Sequence, residues 1–147
     1  MSRAFMKESE PGEPRCPACK GIGIPVGAPT LEAQLPAEFR AKLVGAACWC
    51  ESAECRTAYF DAWGTAVGVD RLRSIPHPKD PEGPICFCFG LSAAQITADA
   101  RDGRKERVKD LKERAEGPEA RCTERCPDGR PCLPRVMRLF RESFEAR

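Results

Sequence analysis

Ile75-Pro76-His77-Pro78-Lys79-Asp80-Pro81-Glu82-Gly83-Pro84 divides this chain, and the rest is best read outward from it. Four prolines in ten residues exclude a helix or a central strand and favour an extended linker. Five cysteines precede the stretch, Cys16, Cys19, Cys48, Cys50 and Cys55, and five follow it, Cys86, Cys88, Cys122, Cys126 and Cys132. Each flank is about 70 residues, a size at which folded chains commonly need a metal or a disulfide as a staple. The expected architecture is α+β, with a small zinc-knuckle β-sheet subdomain over residues 16–74, the linker over 75–84 and a helical subdomain over 85–147. Residues 1–15 are expected to form a disordered or extended tail.

Compartment decides how the thiols are used. No apolar run of signal-peptide or transmembrane length is present, and Met1 to Pro14 carries Lys7, Glu8, Glu10 and Glu13, so a cytoplasmic protein is expected. Thiols there are kept reduced, and closely spaced pairs read as metal ligands rather than disulfides. The formal net charge of +2 gives no argument for nucleic acid or a membrane surface. From Arg101 onward 14 Lys and Arg face 10 Asp and Glu, with the signs alternating as on a solvated helical face.

Upstream of the linker, Cys16-Pro17-Ala18-Cys19-Lys20-Gly21 is a knuckle whose two thiolates can meet one ion, with the glycine letting backbone N–H groups turn toward the sulfurs. The pair Cys50 and Cys55 would complete a closed four-thiolate zinc site. Cys48 shares a strand face with Cys50 and is a substitute candidate. A helix is expected from Thr30 to Leu43, with Pro36 restarting or kinking it, and strands over 46–50, 57–63 and 66–72. Trp49, Tyr59, Phe60 and Trp63 flank the ligands and are expected to form a minicore that keeps water from the site.

Downstream, Cys86-Phe87-Cys88 stands just ahead of Ser92 and Gln95, an S-x-x-Q capping box that starts a helix. A helix N-terminus favours an anionic thiolate-bound cluster, so iron and sulfide suit this position. Cys122, Cys126 and Cys132 are three candidates for the two remaining ligand places. Helices are expected over 105–116, stopped by Gly117-Pro118, and over 134–145, with Leu133, Val136, Met137, Phe140 and Phe144 forming its core stripe. His77, the single histidine, is expected to be exposed. No nucleophile–base pair and no phosphate-binding glycine loop is seen, so an enzyme is not expected.

Cys86-Phe87-Cys88-Phe89-Gly90-Leu91-Ser92 with Cys122 resembles the bacterioferritin-associated ferredoxin type of 2Fe-2S domain. A second resemblance spans Arg15 to Val136 and is to the N-terminal zinc and 2Fe-2S domain of CopZ-type copper chaperones, in a stand-alone form. It rests on Cys16-Pro17-Ala18-Cys19, on Cys50-Glu51-Ser52-Ala53-Glu54-Cys55 before Tyr59-Phe60, on Cys86-Phe87-Cys88-Phe89-Gly90, and on Cys122 followed by Cys126-Pro127-Asp128-Gly129-Arg130-Pro131-Cys132. The family pattern for that last segment is C-x3-N-P-x-G-x-C-C, so Cys126 replaces its asparagine and Pro131 the first of its adjacent cysteines. The resemblance implies Cys16, Cys19, Cys50 and Cys55 for Zn2+ and Cys86, Cys88, Cys122 and Cys132 for a 2Fe-2S cluster, leaving Cys48 and Cys126 as spare thiols, read either as small buried residues or as replacements for a ligand during cluster transfer. The copper loop G-M-x-C-x-x-C is missing, so copper binding is not implied. Electron transfer or metallochaperone-like trafficking of a metal, copper being one candidate cargo in copper homeostasis, with a redox or trafficking protein is the implied role. The alternative is a redox-inert two-zinc interaction module that binds protein or nucleic acid.

Overall fold

The computed structural model describes residues 14–146, so the expected tail lies, except for Pro14 and Arg15, outside the described residues. The first half is a four-stranded antiparallel meander in the order β1 (Ile24–Val26), β2 (Ala47–Trp49), β3 (Thr57–Asp61) and β4 (Ala66–Gly68). Pairing sets Trp49 opposite Tyr59 and Cys48 opposite Phe60. Because side chains alternate along a strand, this register sends Trp49 and Tyr59 to one face and Cys48 and Phe60 to the other. The first face packs with Leu35, Val67 and Val69, while Cys48 and Phe60 pack with Cys16 and Cys50. Both faces are therefore covered, which is why all five residues of β3 are buried.

Between β1 and β2 lie α1 (Ala28–Gln34) and α2 (Ala37–Arg40). The single helix expected from Thr30 is thus two, divided at Pro36, and the first begins two residues earlier. Pro29 near the helix start supplies a preset helical φ and has no N–H to leave unpaired, so Gly27 is the cap and Thr30 is buried inside. The expected strand over 66–72 ends at Gly68 and gives way to a 3-10 turn over Val69–Arg71. β1 was not expected; three residues are too few to show an alternating pattern.

The second half opens with a short antiparallel pair, β5 (Pro84–Cys86) and β6 (Leu91–Ser92). Then follow α3 (Ala93–Arg101), α4 (Glu106–Ala115), α5 (Cys122–Arg125) and α6 (Leu133–Glu145). The capping box forms as read: Gln95 N–H donates to Ser92 Oγ at 3.2 Å and Ser92 N–H to Gln95 Oε1 at 3.0 Å. α3 and α6 pack together with α4 against a core of Ile85, Ile96, Val108, Leu111 and Val136. The α6 stripe differs from expectation. Met137 is 38 % exposed and Leu139 packs inward in its place, because the buried line runs Leu133, Val136, Leu139 and Phe140.

The proline stretch is a packed loop where an extended linker is expected. His77 N–H donates to Pro84 O at 2.9 Å and Asp80 N–H to Pro76 O at 3.0 Å, folding the loop on itself. Pro76 and Lys79 are buried. The halves are also joined directly: Gln34 Nε2 donates to the carbonyl of Arg125, and Tyr59 Oη to that of Pro127 at 2.6 Å.

Candidate metal centres

The Cys16–Cys19 knuckle is closed by its own backbone. Lys20 N–H donates to Cys16 O at 2.9 Å and Cys16 N–H to Gly21 O at 2.8 Å. The left-handed residue is Lys20 (φ 67°), not the glycine, and Gly21 N–H is turned toward Cys19 Sγ at 3.4 Å. Cys50, just past β2, and Cys55, just before β3, arrive from the loop joining those strands. All four sulfurs lie within 4.8 Å of one another. Cys16 Sγ is 3.8 Å from Cys55 Sγ and Cys19 Sγ is 3.7 Å from Cys50 Sγ. A tetrahedron with Zn–S bonds of about 2.3 Å has edges of about 3.8 Å, so these two opposite edges already have zinc dimensions.

The surroundings favour thiolates unevenly. Burial works to raise the Cys16 pKa, but N–H groups of Cys19 and Ala18 and the side chain of Thr57 outweigh it and hold this thiol at about 6. Burial pushes Cys50 up to about 12. Lys79, 4 % exposed, reaches over from the proline loop. Its Nζ donates to Ser52 O at 2.6 Å and Cys55 O at 2.7 Å, and stands 5.4 Å from the centre of the Trp49 ring. Burial lowers the Lys79 pKa, while the charges of Cys50 and Cys55 work to raise it. This cation tightens the Cys50–Cys55 turn and offsets thiolate charge beside it.

Cys48 is buried against Phe60, with its own pKa raised by burial, and it lies outside the four-sulfur group. Gly23 explains the fit: a Cβ there would stand 2.7 Å from Cys48 Cβ and 2.3 Å from the Phe60 ring. Of the expected minicore only Phe60 packs against the ligands; Trp49 and Tyr59 are buried on the opposite face of the sheet, with ring centres 5.1 Å apart, because strand alternation sends them away from Cys48 and Phe60. Trp63 is 79 % exposed, since it sits in the β3–β4 turn past the last strand residue and not within the strand. His77 is half-buried instead of exposed, and its Nδ1 is enclosed without a hydrogen-bond partner among the described residues.

The other five cysteines converge in the second half. Cys86 ends β5, Cys88 lies in the turn to β6, Cys122 begins α5, Cys126 caps its C-terminus, and Cys132 precedes α6. Cys122, Cys126 and Cys132 have sulfurs within 4.8 Å of one another. Cys86 contacts Cys132, and Cys88 contacts Cys122. Cys86, Cys126 and Cys132 are buried, whereas Cys88 and Cys122 are half-exposed. The loop between Cys126 and Cys132 is shaped by Gly129 (φ 69°), by Arg130 N–H donating to Asp128 Oδ1 at 3.0 Å, and by the Arg135–Asp128 ion pair.

Backbone donors surround these sulfurs, but not from the source expected. The capped helix begins seven residues after Cys86, and the N–H groups on Cys86 come from Cys88, Phe89 and Leu91 in the strand turn that Gly90 (φ 74°) allows. Arg121 N–H donates to Cys88 Sγ at 3.0 Å. The Cys132 side chain hydrogen-bonds Cys86, and this with the N–H groups holds Cys86 at about 6 despite burial. Cys132 itself is pushed far up, by its bonds to Cys126 and Cys86 and then by burial. Reduced sulfur donors ringed by N–H groups suit a soft, thiolate-bound metal group. The four carried-over positions Cys86, Cys88, Cys122 and Cys132 are brought together, and so is Cys126. Its spacing of four from Cys122, one helical turn, was the signal in the sequence for that proximity. Lys79 and Arg121 had none.

Three comparisons bear on this arrangement. Residues 13–73 match a family model described as a zinc binding domain of the CopZ type. Those residues contain all four sulfurs of the first group, so zinc is the metal that both the geometry and the match support. The X-ray structure of the Archaeoglobus fulgidus CopZ N-terminal domain is similar with a TM-score of 0.70 and 24 % sequence identity, over 85 % of this chain and 96 % of that one. The two share a fold. No curated protein sequence matches the chain.

Proposed function

We propose that this chain is a zinc and 2Fe-2S metal-binding protein that acts in electron transfer or metal trafficking in the manner of a metallochaperone domain. The observation that carries the reading is a contrast between the two sulfur groups. Four thiols stand at one-ion distances in the first half; in the second only three of five do, and Cys86 and Cys88 extend the set through Cys132 and Cys122 respectively. Such a spread suits a binuclear group better than a single tetrahedral ion.

The first site is structural in this reading. Its four thiols close around zinc and hold the ends of β2 and β3 against the knuckle, and Lys79 brings the proline loop onto the same turn. In the second half a bound 2Fe-2S group would supply a one-electron couple. Cys86, Cys88, Cys122 and Cys132 would hold it, as the family resemblance implies. N–H groups of Arg121, Cys88, Phe89 and Leu91 stabilise negative charge on the sulfurs and so bias the potential. Half-exposed Cys88 and Cys122 turn one edge of the site toward solvent, where a redox or metal-trafficking protein can approach.

Among the described residues no helix is long and apolar enough to cross a membrane. We further propose a cytoplasmic, non-enzymatic protein without a nucleic-acid partner, on cysteines gathered at metal-ligand distances and a formal net charge of +2. The test is metal and acid-labile sulfide content with a visible spectrum on protein purified without oxygen. Two irons and two sulfides beside one zinc, with a colour bleached by dithionite, is the expected result. Colourless protein holding zinc alone, even after attempted cluster reconstitution, overturns the iron–sulfur half of the reading in favour of a two-zinc interaction module.

A further inference from the structure

Cys126 is spare in the ligand set implied by resemblance, yet it does not sit like a spare thiol. It is fully buried, and its sulfur shares the 4.8 Å group with Cys122 and Cys132 on the same terms as theirs. It contacts Cys132, which in turn contacts Cys86, so three buried sulfurs meet at the inner end of the site. Cys88 joins the group through Cys122, and these two are the less buried of the five. By contrast Cys48, the other spare thiol, lies beside the zinc ligands but outside their group, packed against Phe60.

The local backbone keeps Cys126 available. Cys126 N–H donates to Cys122 O at 3.1 Å, and Gly129 N–H to Cys126 O at 2.9 Å, so the residue is fixed from both sides. Cys126 and Cys132 stand at the two ends of one loop, Cys126-Pro127-Asp128-Gly129-Arg130-Pro131-Cys132, pinned by the Asp128–Arg135 pair. Either end can therefore present sulfur to the same point without refolding the loop.

We propose that Cys126 is a fifth ligand of the second metal centre, interchangeable with Cys132 at the inner iron while Cys86 stays bound. This rests on the 2Fe-2S reading and deepens it. In the exchange, the Cys126 thiol loses its proton as its sulfur–iron bond forms. The Cys132–iron bond breaks and the released thiolate takes up a proton. Iron's oxidation state and the net charge are unchanged. A centre with a replaceable inner ligand can loosen one bond without exposing an open iron site, a property suited to handing a cluster on.

The test is iron and sulfide content, visible absorption and the electron paramagnetic resonance of the dithionite-reduced state. It is applied to wild type, Cys126→Ala, Cys132→Ala and the double variant, reconstituted without oxygen. Interchange predicts that each single variant keeps wild-type iron and sulfide, that the double variant loses both, and that wild-type resonance is a mixture of two species of which each single variant retains one. Zinc at the first site and far-UV circular dichroism report folding; should an alanine variant fail there, Cys126→Ser and Cys132→Ser carry the same comparison. Loss of iron from Cys132→Ala with an unchanged Cys126→Ala spectrum overturns the proposal and makes Cys126 a packing thiol. The reverse pattern overturns it too, making Cys126 the sole inner partner of Cys86. Wild-type protein that takes zinc and no iron would instead sink the parent reading, a result visible before any variant is made.

Discussion

Replacing Lys79 by methionine removes a charge from beside the zinc site while keeping most of the side chain's packing. Lysine donates two hydrogen bonds at 2.6 and 2.7 Å to carbonyls of the Cys50–Cys55 turn. Charge-assisted bonds contribute about 1.5–3 kcal/mol each, and the variant is spared the dehydration of a buried ammonium, so the low end of the sum, about 3 kcal/mol, is the appropriate figure. Zinc binding and local folding share one free energy in sites of this kind, so the loss should appear as zinc affinity weakened about 150-fold. Competition with a chromophoric chelator at neutral pH reads this directly. An affinity within about threefold of wild type would refute the reasoning, and would mean that the turn is held by its sulfurs alone and that Lys79 merely fills space.

Other perturbations follow the same geometry. Tyr59→Phe leaves the Pro127 carbonyl without its buried donor and should lower stability by about 1–2 kcal/mol, read as a fall in Tm of about 2–8 °C. Cys16→Ala should abolish zinc binding at the first site, whereas Cys48→Ala should keep one zinc and cost about 1 kcal/mol of stability; elemental analysis with thermal melts separates the two. His77 has its pKa lowered from 6.5, first by burial and then by Arg135. The unfolded chain therefore binds the proton more readily, and this histidine contributes stability that is present above about pH 6.5 and lost as pH falls toward its folded pKa. His77→Asn should flatten the slope of Tm against pH below that point relative to wild type, and parallel slopes would count against it.

What the sequence disclosed, and what it withheld, follows from the range of the interactions. The turn of the Cys16–Cys19 knuckle and the Ser92–Gln95 box are local, a few residues of spacing determining the geometry, and the box forms as read; the Cys50–Cys55 pair meets the knuckle across 31 and 39 residues. The α+β division was legible from local spacing too, since turn residues and helical stripes are short-range signals. Lys79 was not. Nothing near it in sequence says that a lysine among prolines will turn inward, because the carbonyls that hold it lie 24 and 27 residues upstream. Trp63 erred in the opposite sense, an aromatic residue assigned to a strand that had already ended at Asp61. Cys126 lay between these cases, its helical spacing from Cys122 visible but outweighed by its place in a family pattern that has asparagine there.

The hydrogen bond from Tyr59 to Pro127 also sets a clock. Its partners are 68 residues apart, so at a synthesis rate of about 5–20 residues per second the hydroxyl waits roughly 3–14 s for its acceptor to be made. Gln34 waits longer, its partner Arg125 being 91 residues away. During that interval a nascent first half can already close its knuckle on zinc, while the surface meant for α5 stays open to other proteins. Zinc captured early would then do more than support the finished molecule: it would keep the half-made one in shape until the remainder emerged from the ribosome.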